Sequence, residues 1–382
     1  MIASVGSWLI GLGGATVLLF WVLASLVWAR RSRPAAVQRS GRVTLILPLA
    51  GHPPGLPVLL EALAAQTLRP ARLILAVERG DSVAAAAVAG AALPFPVEVV
   101  TAPPAIHCSQ KCANLVAGLA HLVPEDEAAV LLDADILPQP WWLSTLATPV
   151  LDGTADMVTG YRWLRPSGSL AAHLVAWTDR SYAALPRSDR MPIAWGGSLA
   201  LGPRALAGGE VERTLHRTLS DDLSLAEMAA KRKLRLLTRR ILLLPTVADG
   251  SPLALLRFLA RQYRIVHLYR PALWWAATLS SHAVLLFWGW LLLRHPAWLL
   301  VPAAAGAVRW AVNDAAGRRV GAPDAPATRA AQLLLGVTPL PELLNACICW
   351  ASAWPRRVVW RHVTYHVAGP LEVRVLSRAT LR

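Results

Sequence analysis

Cysteine is scarce, with four in 382 residues: Cys108, Cys112, Cys347 and Cys349. Cys108 and Cys112 lie four apart, the other two sit inside an apolar run, and no histidine pair completes a zinc-ligand set. The low count argues against a disulfide-stapled module and fits ordinary reduced thiols in a cytosolic catalytic domain. Charge is also scarce, at 16% of residues, and acids are the rarer sign: 23 Asp and Glu against 38 Lys and Arg, a net +15. At 55% hydrophobic residues and a mean hydropathy of +0.44, the chain is too apolar for a soluble domain alone, which implies membrane segments. The basic residues border apolar runs, at Arg30, Arg31 and Arg33, at Arg318 and Arg319, and at Arg356, Arg357 and Arg361. Nucleic-acid binding needs a polar basic face, so no nucleic-acid partner is expected; anchoring at an anionic cytoplasmic leaflet is. Tyr and Phe number five and four while Trp reaches 17, a bias that suits membrane interfaces.

Residues 4–28 form an apolar run long enough for a hydrocarbon core of ~30 Å, and Ala-Arg-Arg-Ser-Arg follows it. The run exceeds a signal-peptide core, and its basic flank comes after it. Residues 1–30 therefore read as an N-terminal transmembrane anchor, with residue 30 onward in the cytoplasm. Residues 40–255 read as one cytoplasmic α/β domain. Strand-like runs at Val43 to Leu47, Arg72 to Val77, Val97 to Val100, Ala129 to Leu132 and Met157 to Thr159 are interspersed with helical stretches such as Leu56 to Gln66 and Lys111 to Leu122. That pattern predicts a Rossmann-like, doubly wound, mostly parallel sheet, whose ligands bind beyond the carboxyl ends of the strands. Residues 256–270 read as interfacial and 271–355 as membrane helices. Pro271 to Leu293 can span, Pro296 to Val312 is a short candidate, and residues 330–354 are broken by Thr338-Pro339-Leu340-Pro341. Proline interrupts a helix there, so a re-entrant pair is favoured, leaving residues 356–382 as a basic cytoplasmic tail.

The candidate chemistry sits after the strands. Asp133-Ala134-Asp135 follows an apolar strand, and two carboxylates so spaced can share Mg or Mn with a diphosphate. Glu78 and Asp81 follow another strand, where either can accept hydrogen bonds from a base or ribose, or can belong to a polar turn. Lys111 and Asn114 open a helix, where a lysine can meet phosphate. Asp221 and Asp222 begin another helix; one can cap it while the other, assigned here as Asp222, takes the proton from an attacking hydroxyl. Arg261 and Arg264 precede a membrane segment, as diphosphate clamps or as anchors, and Gln262 between them is placed with the acceptor or sugar pocket. Trp195, Gly196 and Gly197 form a tight turn that is either structural or the floor of a sugar pocket.

The order of these pieces resembles the ceramide glucosyltransferase family and its bacterial relatives, close to the family-2 glycosyltransferases of the GT-A fold. That pattern is three separated aspartates followed by (Q/R)xxRW. Asp81 (with Glu78), Asp133 and Asp222 stand at the acidic positions, and Arg261-Gln262-Tyr263-Arg264-Ile265 at the last, with Ile265 in place of tryptophan. Lys111-Cys112-Ala113-Asn114 resembles the family's Lys-x-x-Asn, and Val359-Trp360-Arg361 with Tyr365 a Trp-Arg…Tyr element. The resemblance implies an inverting, membrane-bound hexosyltransferase, expected in a bacterial inner membrane. It would move sugar from a nucleotide-sugar, expected to be a UDP-sugar, to a lipid such as ceramide or a hopanoid. The alternatives are a processive polysaccharide synthase, a polyprenyl-phosphate glycosyltransferase and an inactive membrane scaffold.

Overall fold

The computed structural model describes residues 2–28, 39–88, 93–183, 193–354 and 356–379, so the basic cluster Arg30, Arg31 and Arg33 lies outside the described residues. The chain runs α1 (Ile2–Trp28), β1 (Val43–Leu49), α2 (Leu56–Ala64), β2 (Arg72–Glu78), α3 (Ser82–Val88), β3 (Val97–Ala102), α4 (Gln110–Leu119), β4 (Ala128–Leu132) and α5 (Trp142–Leu151). It continues through β5 (Met157–Pro166), α6 (Leu170–Ala183), β6 (Ser198–Leu201), α7 (Pro203–Leu206), α8 (Glu210–Leu215), α9 (Asp221–Lys231) and β7 (Leu236–Ala248). Then come α10 (Pro252–Tyr269), α11 (Pro271–Arg294), α12 (Leu300–Arg319), α13 (Pro326–Gly336) and α14 (Leu340–Ala353), and last β8 (Arg357–Trp360), β9 (Val363–Gly369) and β10 (Glu372–Arg378). The described residues fall into two units: 39–162, 193–246 and 356–379 in one, and 2–28, 163–183 and 247–354 in the other.

The first unit is built on a sheet of order β3-β2-β1-β4-β6-β5-β7. β1 pairs in parallel with β2 and β4, β2 with β3, and β6 runs antiparallel to β4 and β5. Successive strand residues point to opposite faces, and both faces here are covered, so the central strands are apolar throughout. Leu45, Leu47, Leu73, Leu75, Val130 and Leu132 pack on one side with α2 and α5. Ile46, Ile74, Ala129 and Leu131 pack on the other with α4, α8 and α9. This layering delivers the ends of β1, β2 and β4, with the starts of α4 and α9, to one edge.

The second unit is helical. Trp8–Val27 and Pro271–Arg294 are long and apolar enough to cross a membrane. α13 and α14 are bent by 73° at the proline-bearing break. Two expectations need correction. Residues 296–312 do not make an apolar span, because α12 buries Arg309, Asn313 and Asp314. Arg309 donates to Ser181 (2.6 Å), lies 3.6 Å from Glu342 and sits over the rings of Trp21 and Trp177. Such a buried cation persists only with partners of this kind. The described part of the expected basic tail is a three-stranded antiparallel sheet, β10-β9-β8, which belongs to the first unit. The domain read as 40–255 thus loses its last residues and α6 to the helical unit and gains this sheet.

A methyl group at Gly160 of β5 would run into the Leu242 carbonyl of β7. Backbone cannot move aside as a side-chain end can, so Gly160→Ala is expected to cost about 1–3 kcal/mol. A thermal midpoint below that of the wild type, measured in the same detergent, checks it.

Candidate active site

At the carboxyl end of β4 the chain turns through Asp133, whose N–H donates to Gly197 O at 3.4 Å. Lys111 lies in the first turn of α4, a helix capped by Ser109, whose hydroxyl accepts from Cys112 N at 3.1 Å. The Lys111 Nζ sits 2.8 Å from Asp133 Oδ1 and 3.0 Å from Asp221 Oδ2. The side chains of Asp221, Lys111 and Asp133 are 3%, 14% and 29% exposed, so the trio opens to solvent at Asp133. Burial works against the lysine charge, yet Asp133, Asp221 and Asp222 together hold its pKa well above the ordinary value. Burial foremost, with help from Asp222 and Asp133, pushes Asp221 up to about 6 against the pull of Lys111.

Trp195-Gly196-Gly197 packs directly on this pair. A methyl at Gly196 would collide with the Asp221 carboxylate and lie 2.9 Å from Lys111 Nζ. The turn is fixed from behind by Trp195 N donating to Thr159 Oγ1 at 3.0 Å and by the Tyr161 ring, 5.9 Å from that of Trp195. The close approach that Gly196 permits is thus to the protein's own charges.

Asp222 stands beside the trio, half-buried where Asp221 is buried. Its Oδ1 accepts from the Ser220 hydroxyl and from Leu223 N (2.7 Å), and its Oδ2 accepts weakly from Gly196 N (3.4 Å). Ser220 occupies the N-cap position of α9, but its side chain makes no capping bond there and turns to Asp222 instead. Both aspartates sit in the first turn, where the helix dipole favours negative charge.

Asp135 is exposed at the end of the turn that follows β4. Among the described residues no three or more His, Cys, Asp or Glu form a complete metal cage. Magnesium and manganese do not need one, since one or two carboxylates suffice when phosphate and water fill the remaining positions. Two repelling carboxylates at a solvent-facing edge fit that requirement.

Two residues expected at the donor already hold partners within the protein. Both Glu78 oxygens are engaged by the C-terminal sheet: Oε2 meets His362 Nε2 at 2.9 Å, and Oε1 accepts from Arg378. Asn114 is a buried clamp; its Nδ2 donates to Leu49 O and Ala76 O, and its Oδ1 accepts from Gln110. It ties together the ends of β1 and β2. Asp81 shapes the loops: Oδ2 accepts from Gly51 N (2.7 Å), and Oδ1 from Ala84 N (2.9 Å), as a helix cap does. Arg261, Gln262 and Arg264 lie on α10 in the helical unit, where Arg261 stacks on Phe258 and Arg264 donates to Ala351 O. The trio is complete without them. His362 and Arg378 went unread, although alternating Val363, Tyr365, Val367 and Val373, Val375 about Gly369-Pro370 carry a hairpin signal.

This sheet order, with a carboxylate-rich edge at the ends of its parallel strands, is the GT-A architecture of glycosyltransferases. The pattern of glycosyl transferase family 21 matches residues 8–370, and the chain belongs to that family. No curated protein matches it. Among solved structures it is similar to the mannosyltransferase PcManGT from Pyrobaculum calidifontis in complex with GDP-Man and Mn2+. The TM-score is 0.52 at 18% identity, over 82% of this chain and 97% of that one. A weaker likeness is to glucosyl-3-phosphoglycerate synthase from Mycobacterium tuberculosis, solved with Mn2+, UDP-glucose and phosphoglyceric acid. Its TM-score is 0.35 at 14% identity, over 65% of this chain and 79% of that one.

With Asp221 titrating at about 6, acidification neutralises one of the two anchors of Lys111. Glycosyl transfer is therefore expected to fall as pH drops through about 6. Asp221→Asn, neutral at every pH, should be slower and lack that limb; pH–rate profiles of both proteins check this.

Proposed function

We propose that this glycosyltransferase moves a sugar from a nucleotide-sugar, UDP-linked by the family resemblance, to a hydroxyl of a membrane lipid such as ceramide or a hopanoid. The observation that carries the proposal is the Asp133–Lys111–Asp221 trio at the strand ends with Asp222 beside it. Lys111 and the start of α4 bring positive charge to the edge where a doubly wound sheet receives phosphate. Asp133 and Asp135 would hold Mg or Mn, which when bound neutralises charge on the departing nucleoside diphosphate. The PcManGT structure contains GDP-Man and Mn2+, which supports both a nucleotide-sugar and a divalent cation here.

Asp222 is the base. Its carboxylate is oriented by Ser220 and Leu223 N, and it is less buried than Asp221, so it can reach an incoming hydroxyl. It takes the hydroxyl proton as the oxygen bonds to the anomeric carbon and the bond to the diphosphate breaks on the opposite side. One displacement inverts the anomeric centre. Asp221 stays paired with Lys111 and positions the site. α1 and α11 explain a lipid acceptor: tethering the chain to the bilayer raises the effective concentration of an insoluble substrate. In this reading the catalytic unit faces the cytoplasm of a bacterial inner membrane.

The test is a screen of labelled UDP- and GDP-sugars against a total lipid extract, in detergent, with and without Mn2+. A single labelled glycolipid, lost on chelation, is expected. Asp222→Asn should lower the rate by about 10²–10⁴-fold while still binding the donor. Transfer at undiminished rate by Asp222→Asn would remove the base assignment and favour an anionic acceptor such as a polyprenyl phosphate.

A further inference from the structure

The turn between β8 and β9 is unusual in its residues. Trp360 pairs with Val363, so Arg361 and His362 alone close the hairpin. Two-residue hairpin turns favour Asn, Asp and Gly, because they demand left-handed backbone. Arg361 adopts that conformation, at φ 51, although a side chain is strained there. Its side chain and that of its neighbour show what the strain accompanies. Arg361 Nη1 donates to Ala50 O at 2.7 Å, just past the end of β1. His362 meets Glu78, the last residue of β2.

The segment so gripped borders the site on both sides. Gly51, next to Ala50, is held by Asp81, and Gly55 lies against the backbone of Ala134, a Cβ there falling 3.6 Å from the Ala134 O between Asp133 and Asp135. The rest of the sheet is fastened at other points: Tyr365 accepts from Gln110 N at 3.1 Å, and Val375 N donates to Ile106 O at 3.0 Å. The sheet would therefore stay in place without Arg361, and a Gly or Asn at 361 would make the turn at lower strain. Only the bond to Ala50 calls for a long side chain with a donor at its end.

We infer that Arg361 is a positioning residue for the donor: the hairpin tip latches the loop after β1 in the conformation that receives the nucleotide. The inference rests on the nucleotide-sugar reading above, since it places the nucleotide at the ends of β1 and β2. It gives the C-terminal sheet a task in the reaction, through the loop that Arg361 holds.

Arg361→Gly separates this from a structural role, because glycine relieves the backbone strain while removing the latch. In the full-length protein in detergent, with transfer from the labelled donor as the assay, Arg361→Gly is expected to raise donor KM about tenfold, to leave kcat within about twofold, and to keep or raise the thermal midpoint. Arg361→Lys, which can still reach Ala50 O with one donor, should recover part of the KM. An unchanged KM in Arg361→Gly, or a fall in thermal midpoint that accounts for lost activity, overturns the latch. If the wild type itself shows no saturable use of any nucleotide-sugar, the nucleotide reading fails and takes the latch with it. A saturating wild type beside an unaffected variant removes the latch alone.

Discussion

Lys111 keeps its charge in a nearly closed site because Asp133 and Asp221 stand within 3.0 Å of it, and Asp221 is tolerable in its buried position because Lys111 is there. Removing Lys111 leaves the buried Asp221 carboxylate without a counter-charge, whereas removing Asp221 leaves Lys111 with Asp133 alone. That mutual dependence reaches outward. Position 196 must be glycine because Asp221 and Lys111 fill the space a side chain would take, and Gly197 in turn accepts from the backbone of Asp133. α4, α9, β4 and the turn before β6 are thereby fixed to one another at the edge where the sheet opens.

The division of labour between adjacent aspartates follows from the same geometry. Asp221 is spent on holding the lysine, with its titration moved up to about 6 by burial. Asp222, one residue on, looks past the pair and is oriented by Ser220 and by backbone donors. Two carboxylates in one helical turn are thus held differently because their surroundings differ. On the far side of the site the loop after β1 is bounded by Asp81, by Ala134 and by Arg361 of the C-terminal sheet. The catalytic unit is closed by residues some 300 positions from those they hold.

Five of the seven strands of the main sheet, and the carboxylates, were legible because each carries a local signal, while β6 and β7 were not read. Val43 to Leu49 and Ala128 to Leu132 are short apolar runs that read as buried strands, and Asp133 follows the second directly. The partners were not legible, because partnership is set by the tertiary fold. Nothing near Glu78 announces Arg378, and nothing near Asn114 shows that its amide will lie between the carbonyls of Leu49 and Ala76. The tail is obscure for a different reason: its arginines suggest an anchor, while the period-two pattern of Val363, Tyr365 and Val367 is that of a strand. In α12 the apolar composition hid Arg309, which the fold satisfies with Glu342 and two tryptophans.

Lys111 and Asp221 are expected to act as one unit in holding the donor end of the site. A double-mutant cycle of Lys111→Met and Asp221→Asn, read as nucleotide-sugar affinity by calorimetry in detergent, tests it most directly. The account gives strong non-additivity, with the double variant little worse than either single one and a coupling energy of about 1–3 kcal/mol. Losses that simply add would show that the two side chains serve the donor independently, and would contradict the account.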